Sequence, residues 1–290
     1  MYNTNPGTFE NYQYDQISHN WNNHSPITEE RLPLQLESWP YPVKVYTLGQ
    51  FFLLTDFNSS SLNIKSVPKK PIELLKCLIA FGGYQVSQEK IAETLWPDSE
   101  GDKARRTLDT TLFRLRKLLK HEQALVLKKG LLSLDSRYVW VDNWVLLKVL
   151  RQLEKQLLTP NITQVQALQH RLFNIYQGDF LGCDTNQSWS IVLKERLSNR
   201  MLKTFIQLGA FWQMQNQIDL AEICYEKGLG LNPLHEPIYQ QLILLYINQG
   251  NQSQAVKTYE QCRKMLSTKL GVMPSEQTTA FARSLIVNEC

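Results

Sequence analysis

Across residues 105–119, Leu108, Leu112, Leu115 and Leu119 recur at steps of four, three and four, the spacing that turns one side of an α-helix inward. Arg106, Thr110, Arg114 and Lys117 fall on the opposite side, with Thr107 and Thr111 beside them. Upstream, residues 43–54 and 62–67 are rich in β-branched, leucine and aromatic residues and bracket the polar stretch 56–60, which predicts a short antiparallel sheet. Ile72, Leu75, Leu78 and Ile79 then recur at helical spacing around Pro71, a residue suited to a first turn, until Gly82-Gly83 ends the segment. Ser87 caps a second helix that points Ile91, Ala92 and Leu95 inward and stops at Trp96-Pro97. Residues 98–102 form the gap before the third helix. Beyond that helix, residues 125–127 and 131–134 flank Lys128-Lys129-Gly130, a hairpin with lysines at its tip.

The second half has a different rhythm. Residues 205–228 and 239–262 align at an offset of 34, pairing Phe205 with Tyr239, Leu208 with Leu242, Trp212 with Tyr246, Ala221 with Ala255 and Tyr225 with Tyr259. That period is the signature of tetratricopeptide repeats, whose paired helices need small residues where they cross and large ones where they interlock. Gly209 and Pro233 complete the first repeat, whereas the second has Ile243 and Ser267 at those places. Residues 144–158, 165–176 and 188–208 read as further amphipathic helices, so this half is expected to be all helical.

Composition adds a direction to this outline. At 290 residues the chain is long enough for two domains and a tail, and its net charge of +4 is unevenly spread. Residues 1–40 are polar, without sustained periodicity, and carry acidic charge, which predicts a disordered or loosely attached tail. Lys103, Arg105, Arg106, Arg114, Arg116, Lys117 and Lys120, by contrast, crowd the third helix against Asp109 alone. The five cysteines are widely spaced with no Cys-x-x-Cys pair, and the histidines show no ligand spacing, so no metal or other cofactor is expected. No signal peptide or membrane-spanning stretch is legible, which points to a cytoplasmic protein. There is no glycine-rich phosphate loop and no catalytic constellation. Trp189, Trp212 and Tyr246 sit at repeat spacing and read as packing residues, and Asp179 as part of a helix-ending turn.

Strands, three helices and a hairpin describe a winged helix-turn-helix, in which the third helix enters the major groove of double-stranded DNA and the hairpin reaches the adjacent backbone. The fold class is therefore α+β winged helix followed by an all-α tetratricopeptide-like domain, divided into 1–40, 41–140 and 141–290. Arginine offers a planar fork to guanine, while threonine and lysine suit phosphate oxygens.

The order of elements over residues 43–140 resembles the OmpR/PhoB-like DNA-binding domain, and residues 105–119 are similar to its recognition helix. The resemblance implies that Arg114 reads a base and that Arg106, Thr107, Thr111, Arg116 and Trp96 contact the DNA backbone. Lys128 and Lys129 fall at the wing, and Thr110 and Lys117 complete the basic face. Phe113 departs from the pattern and is expected to be partly buried or to face a neighbour. Leu48-Gly49-Gln50-Phe51, Leu95-Trp96-Pro97-Asp98, Leu112-Phe113-Arg114-Leu115-Arg116-Lys117-Leu118-Leu119, Val141-Asp142, Tyr176-Gln177-Gly178-Asp179-Phe180-Leu181 and Leu270-Gly271-Val272-Met273-Pro274-Ser275 resemble, in order, the SARP/BTAD family of transcription activators. That resemblance implies binding to promoter direct repeats as a homodimer, side by side, and recruitment of RNA polymerase through its sigma or alpha subunit. It also makes residues 97–103 a polymerase contact. A tetratricopeptide adaptor that uses its winged helix for protein contacts is the alternative.

Overall fold

The computed structural model describes residues 41–55, 68–182 and 187–287, with side chains described to Phe281. The tail expected over 1–40 and the strand expected over 62–67 lie outside the described residues. The stretch 43–54 is two strands rather than one. Strand β1 (Val43–Tyr46) runs antiparallel to β2 (Phe52–Thr55), and the chain reverses through Gly49 at φ +87°, a left-handed conformation that suits glycine. Strand β6 (Val139–Val141) lies on the other side of β1 in parallel register, Val43 opposite Val139 and Val45 opposite Val141. All three β6 side chains are buried.

Helix α1 (Lys69–Ala80) buries Ile72, Leu75, Leu78 and Ile79 as their spacing requires. A two-residue strand β3 (Val86–Ser87) leads into α2 (Gln88–Leu95), where the Ser87 hydroxyl accepts from the N–H groups of Glu89 at 3.2 Å and Lys90 at 3.5 Å. Helix α3 (Gly101–Leu119) begins inside the expected gap, because the Ala104 N–H already bonds the Glu100 carbonyl at 2.9 Å and the Ala104 methyl is buried. It ends where Lys120 turns left-handed at φ +52°. Strands β4 (Leu125–Lys128) and β5 (Leu131–Leu134) form the wing, with β3 on the far edge of β5. Lys129 at φ +51° and Gly130 at φ +75° make a two-residue turn of the kind that matches strand twist. Lys128 is consequently a strand residue opposite Leu131 rather than part of the turn.

The remaining described elements are helical: α4 (Asp142–Leu158), α5 (Ile162–Ile175), α6 (Ser188–Met214), α7 (Ile218–Leu231), α8 (Glu236–Asn248), α9 (Gln252–Leu270) and α10 (Glu276–Val287). The residues aligned at repeat spacing are buried as expected, Tyr259 alone being half-exposed. Gly209 lies where α6 crosses α7, and a Cβ there would stand 2.4 Å from the Tyr225 ring. That ring cannot yield readily, since it is fully buried and its hydroxyl donates to Gln213 at 2.7 Å. The Trp212 indole N–H donates to Gln169 of α5, tying the first repeat to the helical pair before it. Cys77, Cys224 and Cys262 are free and buried. No described helix is long and apolar enough to cross a membrane.

Sheet and helices are joined at Asp142, the first residue of α4, which is 4 % exposed. Its Oδ2 accepts the N–H groups of Thr47 at 2.7 Å and Leu48 at 2.8 Å, and its Oδ1 accepts the Thr47 hydroxyl and the Asn143 N–H, both at 2.7 Å. Burial pushes this carboxyl up to about 6, against the four donors, which favour its charged form. The loop after α5 completes the joint. Gly49 N–H donates to Asp179 carbonyl at 2.9 Å, Leu181 N–H to Thr47 carbonyl at 2.6 Å, and Leu48 bridges Phe180. A Cβ on Gly182 would stand 2.3 Å from the Gly49 carbonyl, so only glycine fits.

Gly209→Ala is expected to lower stability by about 1–2 kcal/mol, the crowding of Tyr225 outweighing a helix-propensity gain of about 1 kcal/mol. Gly230→Ala, in α7 with no atom within 4 Å of the added methyl, should gain up to about 1 kcal/mol, and chemical denaturation of both variants checks the pair. Asp142→Ala strands four donors and should cost about 3–5 kcal/mol. The Asp142 carboxyl is raised from 3.8 to about 6 on folding, so the folded chain holds a proton there that the unfolded chain has released. Its contribution is therefore full below pH 3.8 and declines as pH rises through about 6, a slope that unfolding curves of Asp142→Ala should lack.

Candidate nucleic-acid interface

Helix α3 divides its residues sharply between core and solvent. Ala104, Leu108, Thr111, Leu112, Leu115 and Leu119 are buried, whereas Arg105, Arg106, Asp109, Thr110, Phe113, Arg114 and Lys117 are exposed. At about 100° per residue, Arg106, Thr110, Phe113 and Lys117 form one stripe, with Arg114 along its edge. Thr107 and Arg116 are half-buried at the flanks. Leu108, Leu112 and Leu115 anchor the helix in the core, so the outer stripe is held in a fixed orientation.

Three threonine hydroxyls donate back into the helix, Thr107 to the Lys103 carbonyl at 2.8 Å, Thr110 to Arg106 at 3.0 Å and Thr111 to Thr107 at 2.7 Å. Thr111 is only 5 % exposed, which corrects its expected place among the backbone contacts. One further step of the helix past Thr110 carries it toward the core beside Leu112.

The cations are unneutralised. Arg105, Arg106, Arg114, Arg116, Lys128 and Lys129 form no ion pair with another described residue, and Arg116 pairs with neither Asp109 nor Glu122. Three arginines elsewhere are matched, Arg137 to Asp135 at 2.6 Å, Arg200 to Glu154 at 3.0 Å and Arg263 to Glu260 at 2.6 Å. Cations clustered on one helix and its wing with no ion pair among the described residues keep their full attraction for a polyanion.

The wing is fixed to the same unit. The Gln88 N–H, at the start of α2, donates to the Gly130 carbonyl at 3.0 Å, and the Gln85 N–H donates to the Ser133 hydroxyl at 2.9 Å. Lys128 and Lys129 are exposed on this anchored hairpin. Trp96 closes α2, its N–H bonded to the Ala92 carbonyl at 2.9 Å and its half-buried ring packed on the core with the Lys70 ammonium 5.7 Å from its centroid. Packing and solvent contact both apply to that ring.

Phe113 is more exposed than its hydrophobic character suggested. It is 56 % exposed, and the Lys117 ammonium lies 4.6 Å from its ring centroid. Helical angle alone could have placed it, since it falls about 20° from Arg106 around the axis. Among the described residues no group of acidic, histidine and cysteine side chains could hold a metal ion.

Comparison with known proteins supports the same picture. Residues 141–286 match the bacterial transcriptional activator domain, and residues 65–129 match the family described as transcriptional regulatory protein, C terminal. Both matched families are regulatory rather than catalytic. The regulatory protein AfsR of Streptomyces griseus is 19 % identical over 219 residues, which cover 73 % of this chain and 22 % of AfsR. The chain thus spans about a fifth of that relative. Among solved structures, Mycobacterium tuberculosis EmbR, determined in complex with a low affinity phosphopeptide, superposes with a TM-score of 0.64 at 16 % identity. The likeness covers 86 % of this chain and 66 % of EmbR, and concerns the fold. With a winged helix of the DNA-binding type leading into a helical half matched over residues 141–286, the chain belongs to the SARP/BTAD family of transcription regulators.

Proposed function

We propose that this regulator is a cytoplasmic, sequence-specific activator that lays α3 in the major groove of promoter DNA. The observation that carries this reading is the row of unpaired cations on the outer face of a helix whose inner face is locked in the core. Arg114 reads a base, its fork matching guanine O6 and N7. Arg106, Thr107, Arg116 and Lys117 hold phosphates along the groove, Thr110 stands between them, and Lys128 and Lys129 on the wing hold the neighbouring backbone. Trp96 supports α2 and offers its indole N–H to the same strand. Thr111, being buried, is left out.

The DNA-reading unit spans 41–140 and the activator domain 141–290, meeting at β6 and Asp142. By family likeness the regulator binds direct repeats as a side-by-side pair and recruits RNA polymerase through its sigma or alpha subunit. The stretch 97–103, which joins α2 to the first residues of α3, is the candidate polymerase contact. Its exposed Asp98 and Glu100 stand ahead of the basic helix and leave it an acidic edge.

Selection of duplexes from a random pool by the full chain should yield a defined operator. Against that operator, Arg114→Ala should cost about 1–3 kcal/mol and relax preference at one base pair. Arg106→Ala should weaken matched and scrambled duplexes alike and reduce the salt slope by about one. Enrichment of no sequence, or full operator affinity in both variants, would contradict the assignment and favour the adaptor. Charge reversal at Asp98 and Glu100 should leave operator affinity intact and reduce transcription from an operator-bearing promoter in vitro. Undiminished transcription would remove the loop from the activation surface.

A further inference from the structure

The basic face of α3 has an apolar centre that phosphate contacts leave unused. Phe113 is 56 % exposed, flanked along the helix by Arg106, Thr110, Arg114 and Lys117. Water contact on so large a ring costs free energy, which covering would recover. Whatever covers it must also bring negative charge to the surrounding cations. Duplex DNA meets both demands at one base, because thymine alone adds an apolar group, the C5 methyl, to the edges displayed in the major groove.

We propose that Phe113 is a specificity-determining residue that selects thymine by packing its ring on that methyl. The assignment rests on the reading of α3 as the groove-entering helix. Lys117 prepares the contact, its ammonium lying 4.6 Å from the ring centroid and restraining both side chains before DNA arrives. Phe113 and Arg114 are adjacent in sequence and about 100° apart around the axis, so they address different positions within one site. Arg114 supplies a polar choice and Phe113 an apolar one.

The full chain is first used to select duplexes from a random pool, and each thymine of the selected site is then replaced singly by deoxyuridine, which removes only the methyl. Wild type should lose about fourfold in affinity at one thymine. Phe113→Ala should bind the parent duplex about fourfold more weakly and no longer distinguish thymine from deoxyuridine there. Its melting curve should stay close to wild type, because the ring is 56 % exposed. If no duplex is selected, the reading of α3 itself fails. If duplexes are selected but no thymine replacement changes affinity, or Phe113→Ala keeps the discrimination, Phe113 faces something other than thymine and the proposal is overturned.

Discussion

A carboxylate taken out of water must find donors, and Asp142 finds them on the segment that begins the winged helix. Its two oxygens take two donors each, three of them from Thr47 and Leu48. Because Asp142 is also the first residue of α4, this one side chain sets where the helical half starts relative to the sheet. The helix end adds its own preference for negative charge at that place. The loop after α5 then lays its backbone along residues 47–49, close enough that Gly49 and Gly182 leave no room for side chains. Three short motifs, far apart in sequence, are parts of one joint.

The joint bears on function because the winged helix and the helical half lie in one compact unit. Core leucines hold α3, hydrogen bonds from Gln85 and Gln88 hold the wing, and β6 carries the sheet directly into α4. A helix proposed to read base edges gains from such support, since side chains offered on a well-anchored element lose less entropy on binding. The free cations follow the same logic. Arg137, Arg200 and Arg263 have carboxylate partners, whereas the arginines of α3 have none among the described residues.

Much of this was legible in the chain. Periodicity placed the helices because their apolar stripes are long, and Ser87 and Lys129-Gly130 marked a cap and a turn by chemistry specific to each. The offset between Phe205 and Tyr239 revealed the repeat. The N-terminal sheet was less legible, since residues 43–54 form one apolar run and only Gly49 betrays the reversal. Strand β6 was missed because it is three residues long and pairs with β1 across most of the winged helix. Within the site, Thr110 and Thr111 are chemically alike and differ by one step of rotation, which buries the second. Phe113 is more exposed than its hydrophobic character suggests, because its angle on the helix places it among the arginines.

The central claim is that α3 and the wing meet duplex DNA through unpaired cations. Affinity of the full chain for its selected duplex, measured across a range of salt, tests it most directly. Five contacts per bound chain, from Arg106, Arg116, Lys117, Lys128 and Lys129, predict that log K falls against log salt with a slope of about −4 to −5 for each chain bound. A slope near zero, or no duplex binding at low salt, would contradict the account.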